Sequence, residues 1–138
     1  MLRRFLRQRT SGQGMVEFSL VAPLFFLMLF GVMEGGWLLF HNHQVSNAAR
    51  EGARFAVVNG EMSGTELTND MIKDHIQDRV SLSNWDSLEV NLVEIDENME
   101  PESRIRVDVD YTHLTLVGFI FESAAINLSS SSQMRVHY

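Results

Sequence analysis

Glu17 is the side chain whose position most needs a chemical reason. It stands at the head of Phe18 to Met33 (FSLVAPLFFLMLFGVM), sixteen residues without a charge, and a carboxylate carried to mid-bilayer costs about 2.5 to 3.5 kcal/mol. As a plain boundary residue it is favoured near a helix N-terminus by the macrodipole. Glu34 lies at the other end of the run, where tilt and snorkelling bring a carboxylate to water. The remaining reactive groups form no catalytic constellation. His41 and His43 are one residue apart, which puts them on different sides of a helix, and no Cys or H-E-x-x-H pattern completes a zinc site; an interfacial polar pair is the better reading. His75, His113 and His137 are scattered and the serines crowd the C-terminal stretch, so no triad is built from them. Glu94, Asp96, Glu97, Glu100 and Glu102 offer oxygen ligands, but their spacing is not that of an EF-hand and a solvated, self-repelling loop is the stronger reading. Zero cysteines exclude a disulfide framework, a thiolate metal site and a cysteine nucleophile. The expectation is a protein that is not an enzyme and takes no cofactor or metal.

Charge and hydropathy say what must hold Glu17. Arg3, Arg4, Arg7 and Arg9 all precede residue 13, leaving 7 basic against 18 acidic groups in the rest of the 138-residue chain. A basic leader ahead of an acidic body argues against nucleic-acid binding, which needs a basic face on a folded domain. At 1.5 Å per residue, Phe18 to Met33 spans about 24 Å and Phe18 to Phe40 about 34 Å, bracketing a hydrocarbon core of roughly 30 Å. The spacing predicts one membrane crossing. A cleaved signal peptide fits less well, because its apolar region is shorter and leads into small residues, whereas Trp37-Leu38-Leu39-Phe40 is bulky. The arginines precede the run and none recurs until Arg50, so the positive-inside rule keeps the N-terminus in the cytoplasm and exports residues beyond about 41. Trp37 suits the outer headgroup level.

Downstream, small residues recur at helical spacing from Val45 to Val58, with Ala49, Gly52 or Ala53, and Ala56 near one face. Such a face suits close packing, either on the chain's own domain or on neighbouring subunits. Pro23 is a candidate kink. Thr65-Glu66 predicts a helix start ahead of Leu67, Met71, Ile72, Ile76 and Val80, with Asp70, Lys73, Asp74, Gln77 and Asp78 facing water. Leu88 to Ile95 reads as a strand. Arg104 to Tyr111 alternates strictly, with Ile105, Val107, Val109 and Tyr111 inward. Asp96 to Ser103 is then a polar hairpin loop, and a third strand falls at Asn127 to His137, where Leu128, Met134 and Val136 share parity. Leu114 to Phe121 fits a strand end, a short helix or an exposed assembly surface. The fold class is α+β: a long N-terminal transmembrane helix continuing into an exported domain with a second helix and a small antiparallel sheet, the helices covering one sheet face.

A basic leader, Gly12, a glutamate five residues on at Glu17, the aromatic Phe18 and a long apolar helix together resemble a type IV prepilin. GQGMVEFSLVAPLFFLMLFGVMEGG and NAAREGARFAVV are similar, more specifically, to the N-terminal region of TadE-like proteins, minor pilins or pseudopilins of tight-adherence (Tad) pili. Pro23, Gly31, Glu34 and Asn47-Ala48-Ala49-Arg50-Glu51-Gly52-Ala53-Arg54 match that pattern in order and spacing, over about residues 12 to 58. Gly36-Trp37 and His41-Asn42-His43 depart from it. The resemblance implies a pilin-like fold and cleavage by a prepilin peptidase between Gly12 and Gln13, because cutting at Gly14 would leave Glu17 third. It also gives Glu17 a role. The new α-amino group of one subunit can approach the fifth-residue carboxylate of its neighbour, so that two otherwise costly charges share one site.

The expected organisation is a basic leader at 1–12, a transmembrane and extended helix at 13–58 with its membrane part at about 18–40, and an exported α+β domain at 59–138. The resemblance implies as partners the peptidase, other Tad pilins, the assembly platform and the inner membrane, with no nucleic acid. It implies a role in Tad pilus biogenesis and through it in adhesion, colonisation and biofilm formation. A reading of a different class is an uncleaved single-pass protein whose outer domain binds a ligand or partner; a secreted enzyme ranks third.

Overall fold

The computed structural model describes residues 9–62, 67–95, 103–115 and 125–135. The elements are helix α1 (Arg9–Met62), helix α2 (Asn69–Gln77), a single 3-10 turn (Trp85–Ser87), and strands β1 (Leu88–Glu94), β2 (Arg104–Leu114) and β3 (Ala125–Arg135). The chain divides into two compact units, residues 1–36 and 37–138.

In the first unit α1 is apolar on every side and runs through Pro23 without a break. Its large side chains, among them Phe18, Leu20, Leu24, Met28 and Val32, are exposed, so this is not the core helix of a water-soluble fold, which would bury one stripe. Phe26 packs edge-on to Phe25 at 5.7 Å and stacks on Phe30, one turn on, at 6.3 Å. The described stretch of α1 is long and apolar enough to cross a membrane, and it is consistent with a membrane anchor.

In the second unit the sheet order is β1-β2-β3, both pairs antiparallel. The alternation in β2 is realised in full: Ile105, Val107, Val109 and Tyr111 are buried, joined on the same face by Leu88 and Val90 of β1. Two helices cover this face, α1 through Val45, Ala48, Ala49, Ala53 and Ala56, α2 through Ile72 and Ile76. Gly52 marks where the three elements meet. A Cβ there would lie 3.1 Å from Ile72 Cγ2 and Val107 Cγ1 and 3.2 Å from Ile76 Cδ1, so the small residues of α1 let it approach its own sheet.

Several boundaries differ from the sequence expectation. Helix α2 starts at Asn69, with Thr68 as its cap, the Thr68 Oγ1 accepting from the Met71 amide at 3.4 Å. It stops at Gln77, so Val80 is buried from beyond the helix, and Met71 is exposed. Lys73 does not simply face water. Its ammonium donates to the Leu88 carbonyl at 2.6 Å, while Asn69 Oδ1 accepts from the Leu92 amide at 3.0 Å; these side chains satisfy backbone groups on the outer edge of β1. Strand β1 ends at Glu94, one residue early. Strand β2 runs on to Leu114 and so carries His113 into the buried row. Strand β3 begins at Ala125, spans all four serines and ends at Arg135, with Leu128 and Met134 packed against the core. The acidic stretch 96–102, the segment 116–121, the Thr65-Glu66 start, Val136 and His137 lie outside the described residues.

Candidate processing and assembly site

Gly12, Gln13, Glu17 and Phe18 all sit on α1. Four residues make about one turn, which stacks residue 13 over residue 17, and Gln13 Nε2 donates to Glu17 Oε1 at 3.1 Å. Phe18, Pro23 and Gly31 are exposed and Glu34 is half-buried. A Cβ at Gly12, Gly14 or Gly31 would meet nothing within 4 Å. Packing inside the chain therefore gives no reason for these residues to be glycine, whereas it gives a strong one for Gly52.

The second motif block behaves oppositely. Ala48, Ala49, Gly52 and Ala53 are buried against the sheet and α2, and Asn47, Arg50 and Arg54 face solvent. Glu51 reaches α2 and the turn that follows it. Its Oε1 lies 3.2 Å from Arg79 Nε and 3.3 Å from His75 Nε2. Arg79 Nη1 also lies 3.2 Å from His75 Nδ1. A guanidinium can only donate, so Nδ1 accepts and Nε2 carries the proton toward Glu51. The His75 ring stacks on Phe55 at 4.1 Å.

The histidines expected to be scattered are not all so. His41 and His113 are both buried, with ring centroids 4.7 Å apart, and His41 also stacks parallel to Tyr111 at 5.5 Å. His41 Nδ1 is 2.9 Å from the Trp37 carbonyl and Nε2 is 2.8 Å from Ser83 Oγ. The carbonyl only accepts, which places the proton on Nδ1 and lets Nε2 accept from the exposed serine hydroxyl. Two signals point to this cluster: His113 continues the odd-numbered inward row of β2, and His41 stands four residues before Val45 on the packed stripe of α1. His43 is exposed and takes no part. Among the described residues no group of three or more His, Asp or Glu is placed to hold a metal ion.

The two motif blocks thus divide into an exposed N-terminal set on an apolar helix and a buried set that builds the domain core. Residues 12–54 match the family model of the TadE-like proteins. The match opens on Gly12, takes in Glu17, Phe18, Pro23, Gly31 and Glu34, and closes on Arg54. The TadE-like segment therefore joins both blocks, the exposed one and the one packed on the sheet, and α2, the sheet and the loops lie beyond it. No curated protein and no solved structure matches the chain.

Proposed function

We propose that this chain is a TadE-like minor pilin or pseudopilin, inserted with its N-terminus in the cytoplasm and its C-terminal domain outside the inner membrane, cut between Gly12 and Gln13 by a prepilin peptidase, and used in building a Tad pilus. Its part is structural rather than enzymatic. The observation that carries the reading is the exposed block of the TadE-like segment: a glycine that no packing requires, a glutamate five residues on, and an apolar helix exposed on all sides.

Each part has a physical reason. Gly12 lets an extended backbone approach the peptidase closely. Glu17, at the head of the apolar run, gives the α-amino group of Gln13 on a neighbouring subunit a counter-charge where both would otherwise be costly. The exposed apolar helix associates with lipid and then with other pilins on the assembly platform. Adhesion, colonisation and biofilm formation follow from the fibre.

The N-terminal residue of the membrane-extracted protein tests the reading. Gln13 supports it. Met1 would make the chain an uncleaved anchored domain, and a residue beyond about 40 would make it a secreted product of signal peptidase.

A further inference from the structure

The two edges of the sheet are finished differently. In an antiparallel ladder, both backbone groups of a residue point to the same side and alternate residues point to opposite sides. On β1 the outward groups belong to Leu88, Val90 and Leu92, and α2 engages two of these residues through Lys73 and Asn69. On β3 the inward groups belong to the even-numbered residues, because those oppose the odd residues of β2 that turn away from β1. Asn127, Ser129, Ser131, Gln133 and Arg135 therefore aim their N–H and C=O groups outward, and among the described residues no strand or side chain pairs with them. This edge is eleven residues long, contains no proline, and bears a charge only at Arg135. Those are the properties that natural edges avoid unless something is to pair there.

The surroundings specify what fits. On the helix-covered side, half-buried Leu128 and Met134 stand at either end of Ser130 and Ser132. On the other side the charges are polarised along the strand: Ser129 opposes Asp110 and Ser131 opposes Asp108, whereas Arg135 opposes Arg104. A trough of about 320 Å³ runs along Asp108, Asp110 and Ser129 to Ser131. A strand added beside β3 stands about 10 Å from β2, a distance a lysine stem crosses while its ammonium stays wet. A second copy does not satisfy this geometry. β3 carries one arginine and no acidic residue, so a second β3 cannot set basic side chains opposite both Ser129 and Ser131 and an acidic one opposite Arg135.

We propose that the edge of β3 left unpaired among the described residues is a β-augmentation site for an extended segment of a different protein. That segment lies antiparallel to β3, with basic side chains opposite Ser129 and Ser131, an acidic one opposite Arg135, and apolar ones opposite Leu128 and Met134. Main-chain bonds supply the affinity and the side-chain pattern supplies the choice of partner.

The test uses the full chain in detergent micelles and a labelled peptide of about nine residues with lysines opposite Ser129 and Ser131, glutamate opposite Arg135, valines opposite Leu128 and Met134, and threonine elsewhere. The expected result is saturable binding that falls about tenfold or more with the charge-reversed peptide and with a peptide N-methylated at the amides facing the edge. Ser131→Pro, which removes an outward N–H at an edge position that tolerates proline, should weaken binding equally. Absence of binding, or equal binding of the N-methylated peptide, overturns the proposal whether or not the proline variant folds. The chain has no cysteine, so Ser131→Cys supplies a second reading. A disulfide dimer formed in good yield would mean that a second copy occupies the edge, and would overturn it too.

Discussion

Gly52 of α1 and Val107 of β2 meet so closely that a methyl group on the glycine would stand 3.1 Å from Val107 Cγ1. The same methyl would press on Ile72 and Ile76 at 3.1 and 3.2 Å. Alanine gains about 1 kcal/mol of helix propensity over glycine, but overpacking a filled core costs about 1 to 3 kcal/mol. Three branched side chains must yield at once, so packing wins. Gly52→Ala should lose about 1 kcal/mol and Gly52→Val should largely unfold the domain, as read by denaturant melts of the micellar protein. An unchanged midpoint for both would show that α1 does not approach the sheet this closely.

His41 separates packing from hydrogen bonding in the buried cluster. Its ring fills the space between Tyr111 and His113, and its nitrogens bond the Trp37 carbonyl and an exposed hydroxyl, Ser83. Those two partners keep other routes to satisfaction, the carbonyl within the helix and the hydroxyl in water. His41→Phe should therefore cost about 1 kcal/mol, whereas His41→Ala, which leaves a void, should cost about 3 kcal/mol. Equal losses in a urea titration would mean that the hydrogen bonds dominate.

Processing is predicted to depend on Gly12 without any effect on folding, since its Cα borders open space. Gly12→Leu should leave a longer, uncut form in the membrane with an unaltered melt. Normal cleavage of that variant, seen by intact mass, would remove Gly12 from the proposed role.

The proposed topology rests on the arginines that precede the apolar run. A reporter fused after Tyr138 should be active outside the cytoplasm. Activity of a cytoplasmic reporter at the same junction would reverse the orientation.

Glu17→Gln isolates assembly from anchoring. The amide keeps the size of the side chain and an acceptor for Gln13, which now bonds Glu17 at 3.1 Å, so insertion and cleavage should persist. On the proposed assembly, a neighbour's α-ammonium would lose its counter-charge, a loss on the order of 3 to 5 kcal/mol for a dry pair and far less for a wet one. The amount in sheared pili should therefore fall steeply. Wild-type and variant present in equal amounts would reduce Glu17 to a boundary residue.

What was legible in the sequence is what a repeating pattern can record. The run from Phe18 to Met33 is apolar on all faces, so its character does not depend on what packs beside it, and the strict alternation from Ile105 to Tyr111 names the buried face of β2 without reference to a partner. Periodicity records that a face is covered and not what covers it. The spacing of Ala49, Gly52, Ala53 and Ala56 suits a neighbouring subunit as well as the chain's own sheet, and only the apposition of Gly52 to Val107 and Ile72 assigns it to the sheet. Lys73 reads as solvated because its polarity is local, yet the nearness of β1 turns it, like Asn69, onto backbone groups that water would otherwise serve. His41 and His113 stand 72 positions apart. Their contact exists because α1 lies on the face of β2, a relation set by the burial of the whole apolar surface and encoded at neither residue alone.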